Sequence, residues 1–321
     1  MKVTIKAAVS VAILIGVFIF VPLHQLREAV SRVDGGAWLV ALLGFLAGHT
    51  LGVFKWRMLV NGGRPHLRLL TAARCYAAGL FANLCLPSIV GGDTVRAVLA
   101  ARETRHPEAT VLGGLADRTI DTATVAFLVA LGAVLARHAL PLWAVRLLAV
   151  TIGAGVVAGA AALIVAARMP IRRWPHRLRR PVGRGLVALR RLRRQPGIAV
   201  GALALSIVIQ ISFVALGARL GASMGVTIPF GAWLFAWSLA KLSGLVPISL
   251  GGLAVRDATL AALLVPFGVP AAYGVVVSLA WQSVLIAGGL ISGVFWWVQR
   301  PKVAGAPRAT LASALSVRSA A

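Results

Sequence analysis

Long apolar stretches alternate with short basic connections along this chain, and that pattern predicts helices that cross a bilayer. A crossing needs about 20 consecutive apolar residues. Stretches of that kind lie at residues 7–23, 37–54, 110–136, 143–167, 198–217 and 272–298, with Trp296 and Trp297 placed as an interfacial aromatic belt. The first stretch follows Lys2 and Lys6, but its end at Phe20-Val-Pro-Leu-His lacks a small-x-small cleavage site, so a retained helix is expected. The predicted fold is an all-α polytopic membrane helix bundle, with residues 1–321 forming one transmembrane domain.

Two further stretches, 69–101 and 229–264, carry an internal repeat. Leu86-Pro-Ser-Ile-Val-Gly-Gly-Asp-Thr-Val-Arg96 aligns without a gap to Val246-Pro-Ile-Ser-Leu-Gly-Gly-Leu-Ala-Val-Arg256, an offset of 160 residues. Proline removes a backbone donor and paired glycines favour non-helical dihedrals, so each stretch should be two short helices around an unwound centre. Neither half is long enough for a comfortable crossing, which predicts two re-entrant broken-helix hairpins in an inverted repeat. A pair of kinked, packed helices is the plainer alternative. The first half is then 1–167 and the second 198–300, separated by a basic loop at 168–197 and followed by a tail at 301–321.

Composition narrows the class. Apolar residues make up 59% and charged residues only 13%, which excludes an ordinary soluble domain and a disordered chain. The net charge of +25 sits between the apolar spans, so it reports topology and does not point to nucleic acid. Lys55, Arg57, Arg64, Arg68 and Arg74 follow the second span, eleven arginines and no acid lie in 168–194, and Arg300, Lys302, Arg308 and Arg318 follow the last span. All of these, with both termini, are expected on the cytoplasmic side of a prokaryotic inner membrane. Cys75 and Cys85 lack metal or disulfide spacing and are expected to be packing residues.

The candidate chemistry is anion binding. Gly91, Gly92, Asp93 and Arg96 in the first repeat, and Gly251, Gly252, Arg256 and Asp257 in the second, put a guanidinium just past an unwound turn. Backbone N–H groups and a helix dipole would attract a phosphate there. Asp93 equally suits an N-cap, and Arg96 and Arg256 equally suit ion pairs with Asp93 and Asp257. Asp117 and Asp121 share one helix face, with Arg118 able to reach Asp121, so that face should look inward to a polar cavity unless it lies at the interface. Lys241 is a second-rank candidate for that cavity, and Asn83 a residue for tying down unwound carbonyls. His49 reads as a hydrogen-bonded core residue. No metal spacing, nucleophile elbow or phosphate-binding loop occurs, and no cofactor is expected.

At Leu86-Pro87…Gly91-Gly92-Asp93…Arg96, Asp117-Arg118 and Pro247…Gly251-Gly252…Arg256-Asp257, the sequence resembles the transmembrane flippase region of lysylphosphatidylglycerol synthases and its free-standing prokaryotic relatives. The resemblance runs over about residues 38–297. Asp117 and Asp257 stand where that family's pattern has Glu, and Ala254 where it has Gly. The resemblance implies movement of a lipid between leaflets, and no counterpart of the synthases' soluble transferase domain is seen, so lipid aminoacylation is not expected. The leading expectation is a transporter of an anionic phospholipid or lipid-linked intermediate. The alternatives are a non-transporting subunit that recruits an envelope-lipid enzyme, and, third, a membrane lipid transferase. A homo-oligomer is left open.

Overall fold

The computed structural model describes residues 23–62, 66–86, 91–138, 195–244 and 253–299. The predicted spans at 7–23 and 143–167, the basic loop, the tail and the Pro-Gly-Gly residues Pro87, Pro247, Gly251 and Gly252 lie wholly or almost wholly outside them. Among the described residues the chain is helical, with no strand. A short helix α1 (Leu23–Ser31) precedes α2 (Gly35–Asn61), α3 (Leu69–Cys85), α4 (Gly91–Thr104), α5 (Pro107–Leu135), α6 (Pro196–Ser223), α7 (Phe230–Ser243), α8 (Leu253–Leu264) and α9 (Ala271–Val298). Helices α2, α5, α6 and α9 are long and apolar enough to cross a membrane. This is a multi-pass membrane protein.

Local sequence sets the helix boundaries. Asp34 caps α2, its carboxylate accepting from the Ala37 N–H at 2.7 Å, and Pro107 and Pro196 open α5 and α6, where a missing N–H costs nothing. Helix α3 stops at Leu86, which is extended just before Pro87. Gly268, at φ 81°, closes the turn after α8.

The described helices fall into two runs of four, α2–α5 and α6–α9, each ordered long, short, short, long. Packing partners exchange between the runs: α5 packs on α7 as α9 packs on α3, and α2 packs on α6. Gly44, Gly48 and Gly201 meet Leu216, Phe213 and Met58 respectively, so α2 and α6 run antiparallel. Gly44, Gly48 and Gly52 form a small-residue stripe on α2 that lets Phe213 and the Tyr76 hydroxyl approach the helix closely. At Gly132, a Cβ would stand 2.3 Å from the Phe235 backbone nitrogen, so α5 and α7 touch main chain to main chain. The core is aromatic at the centre, where Phe45, Phe213, Trp237 and Trp281 make edge-to-face and stacked pairs. Leu43, Val134, Val200 and Val294 are exposed on the outer faces, as bilayer-facing residues should be.

Two expectations need correction. Lys55 is not in a loop after the second span, because α2 continues to Asn61 and buries Lys55 at 2% exposure. Cys75 is a core residue but Cys85, at the end of α3, is exposed.

Candidate functional site

Helices α2, α4 and α5 assemble a buried charge network. Arg96, in the second turn of α4, is 6% exposed. Its Nη2 donates to Asp117 Oδ2 at 2.7 Å and lies 3.1 Å from Asp93 Oδ1, while Arg118 Nε stands 3.6 Å from Asp93 Oδ2. Lys55 reaches across from α2, with Nζ 3.1 Å from Asp117 Oδ1 and a hydrogen bond to Asp121 Oδ1. Ser206 of α6 donates to the same Asp121 oxygen at 2.6 Å. The spacing of four on α5 thus brings both carboxylates to one lysine. The Arg96 guanidinium also lies between the rings of Trp56 and Tyr76, 5.2 and 5.1 Å from their centroids. Aromatic faces and carboxylates together hold a buried cation in one orientation.

A cavity of about 140 Å³ opens among these groups, with Lys55, Arg96, Arg118 and Lys241 facing Asp93, Asp117 and Asp121. Asn83 lines it too, but it binds an N–H rather than a carbonyl: its Oδ1 accepts from Gly92 at 3.0 Å. That N–H is therefore engaged between α3 and α4. Gly92 also lets α3 and α4 touch, since a Cβ there would stand 2.2 Å from the Gly79 carbonyl oxygen; at Gly91 a Cβ would meet the Leu86 side chain.

A second cavity, of about 200 Å³, lies among α2, α6, α7, α8 and α9. Its walls are Phe45, Phe213, Trp237 and Trp281, with Lys241, Arg256, His49 and Ser278 as the polar groups, and among the described residues no carboxylate lines it. Arg256 Nε and Nη2 donate to Asp257 Oδ1 at 2.9 and 2.7 Å, and Nη2 also donates to Gln282 Oε1 at 2.9 Å. Ser278 Oγ donates to the same Asp257 oxygen at 2.7 Å. Lys241 donates to a neutral acceptor, Gln210 Oε1, at 2.6 Å, and lies 5.8 Å from the Phe213 ring centroid. His49, Phe213 and Lys241 line both cavities and form their common wall. His49 Nδ1 lies 3.3 Å from the Tyr76 hydroxyl, a partner that suits a core histidine.

The sequence candidates therefore divide. Asp93, Arg96, Asp117, Arg118, Asp121 and Asn83 gather around the first cavity, and Arg256 with its partner Asp257 around the second. Lys241 joins the two. Gly251 and Gly252 lie outside the described residues. Sequence reasoning missed Lys55, Tyr76, Trp56 and Gln210. The available signal was the absence of any helix breaker between Phe54 and Asn61, which would have carried α2 through Lys55. Among the described residues no group of three or more His, Cys, Asp or Glu side chains could hold a metal ion.

A family model described as the lysylphosphatidylglycerol synthase TM region matches residues 4–293. The chain belongs to that family. No significant match was found among the curated proteins or among the solved structures.

Proposed function

We propose that this member of the lysylphosphatidylglycerol synthase transmembrane family is a transporter that moves an anionic, phosphate-bearing lipid between the leaflets of a prokaryotic inner membrane, without chemical change to the lipid. The observation that carries this reading is the second cavity, where Lys241 and Arg256 face an aromatic chamber with no carboxylate on its wall among the described residues. A cation inside a membrane protein is costly and, where it faces a cavity, marks an ion or substrate path. Arg256 is braced by Asp257 and Gln282, so its fork is pre-aimed, and Lys241 donates to the neutral Gln210 at 2.6 Å. A phosphate headgroup would supply a counter-charge to Lys241 and a further acceptor to Arg256.

We also read the two four-helix runs as inverted repeats with re-entrant hairpins α3–α4 and α7–α8. The antiparallel packing of α2 on α6 and the exchange of partners between the runs support it. Secondary transporters place substrate sites where broken helices of such repeats meet. The shared wall of His49, Phe213 and Lys241 would then be the place where a headgroup passes from one cavity to the other. The test is leaflet translocation of a fluorescent anionic lipid by the purified chain in proteoliposomes. Movement above protein-free vesicles supports transport, and its absence with folded protein in both orientations would leave only a non-transporting subunit or a lipid transferase.

A further inference from the structure

A third cavity, of about 380 Å³, lies between α2, α3 and α9 on the flank of the bundle. It differs in character from the two central ones. Its sides are Val53 and Phe54 of α2, Ala73 and Ala77 of α3, and Ile291 and Phe295 of α9, of which Phe54, Ile291 and Phe295 are exposed and form an outward-facing mouth. The hydroxyls of its lining residues already have partners: Thr50 Oγ1 donates to the Leu46 carbonyl at 2.9 Å, Ser292 Oγ to the Gly288 carbonyl at 2.8 Å, and the Tyr76 hydroxyl lies 3.3 Å from His49 Nδ1. The groove therefore offers an apolar ligand a wall with no unmet hydrogen bond. Its inner end is His49, Tyr76 and Leu80, and these three residues also line the first, charged cavity. These three residues are thus the wall between the groove and the polar centre, and the groove is open at its other end.

We infer that this groove binds one acyl chain of the lipid whose headgroup occupies the central cavities, an inference that rests on the transport reading above. A soluble anion would have no use for such a groove, whereas an amphiphile needs an apolar channel beside its polar site. Its volume falls in the roughly 300–1,000 Å³ range of small-molecule sites, and apolar burial supplies the affinity while the headgroup site supplies orientation. The chain would lie between α2 and α9, two of the membrane-length helices, with its polar end turned toward Tyr76 and the charged cavity behind it.

Photolabelling of the full-length protein tests this independently of transport. The probe is phosphatidylglycerol with a diazirine in one acyl chain, in proteoliposomes, with adducts mapped by mass spectrometry. Adducts should concentrate at Thr50, Ala73 and Ile291, and Thr50→Trp, at an exposed position, should lower labelling at Ala73 and Ile291 about tenfold, equivalent to the loss of two buried methylenes. Adducts spread evenly over bilayer-facing residues such as Leu43, Val134 and Val200, or labelling indifferent to Thr50→Trp in folded protein, would overturn the inference. Groove labelling in a chain that moves no lipid would sink the transport reading while supporting the acyl-chain site. Translocation with scattered labelling would do the reverse.

Discussion

The two central cavities use the same residue types for different ends. In the first, four cations face three carboxylates, and Arg96 is held by Asp93, Asp117 and two aromatic rings. In the second, two cations face aromatic walls with no carboxylate among the described lining residues, and Lys241 donates to an amide. Charge in the first is nearly balanced from within, as buried ion pairs must be if they are to persist. In the second, Asp257 balances Arg256 from behind the cavity wall, while Lys241 donates to the amide of Gln210. Buried arginine and lysine in a membrane protein are therefore not equivalent markers of a binding site. What distinguishes Lys241 from Arg96 is its hydrogen-bond acceptor, a neutral amide in place of a carboxylate.

The sharpest break in the comparison is in stability. Lys55→Met removes the cation shared by the buried Asp117 and the part-buried Asp121, which should cost about 3–5 kcal/mol. Lys241→Met, whose partner is the neutral Gln210, should cost less, nearer the roughly 1–3 kcal/mol of an unsatisfied polar group. Thermal unfolding in detergent compares the two, and equal losses would erase the distinction between the cavities.

The ion pair at Arg96 sharpens it further. Arg96→Gln alone should destabilise by about 3–5 kcal/mol, and combining it with Asp117→Asn should recover part of that loss, because the orphaned carboxylate is then removed. Unfolding curves for the single and double variants measure the coupling. Additive losses would place Arg96 outside a structural pair and return it to the headgroup role that its repeat partner holds in the proposal.

Arg256→Lys should fold but bind a phosphate headgroup about 10- to 150-fold more weakly, since lysine keeps the charge and loses the fork, at roughly 1.5–3 kcal/mol for a charged hydrogen bond. Lipid dose-dependence of translocation reads this. The smallest effect is expected at Gly48→Ala, whose Cβ would stand 2.5 Å from the Phe213 ring edge. Overpacking there should cost about 1–3 kcal/mol and disturb the common wall of both cavities together.

Much of the architecture was legible because apolar length and helix breakers are local signals. The broken stretch read at 69–101 is α3 and α4, Leu69–Thr104, and that read at 229–264 is α7 and α8, Phe230–Leu264. Arg96, Asp117 and Asp121 could be marked as inward-facing because a bilayer rejects them. Their partners could not be read in the same way. Lys55 looked like one more cytoplasmic cation after a span, and only the meeting of α2 with α5, 66 residues later, shows it pairing with Asp121. Tyr76 and Trp56 resemble ordinary core aromatics until α4 lays a guanidinium between them. Lys241 had no acid within four positions, and its partner Gln210 comes from α6, beyond any helical spacing.

The measurement that bears most directly on the central claim is translocation of a fluorescent phosphatidylglycerol in proteoliposomes by wild-type chain and by Lys241→Gln, with folded protein matched by unfolding temperature. A cation offered to a headgroup predicts that wild type moves the anionic lipid and that Lys241→Gln loses at least about tenfold of that rate, the weight of one charged hydrogen bond. Unchanged anionic transport in a folded Lys241→Gln protein would contradict it.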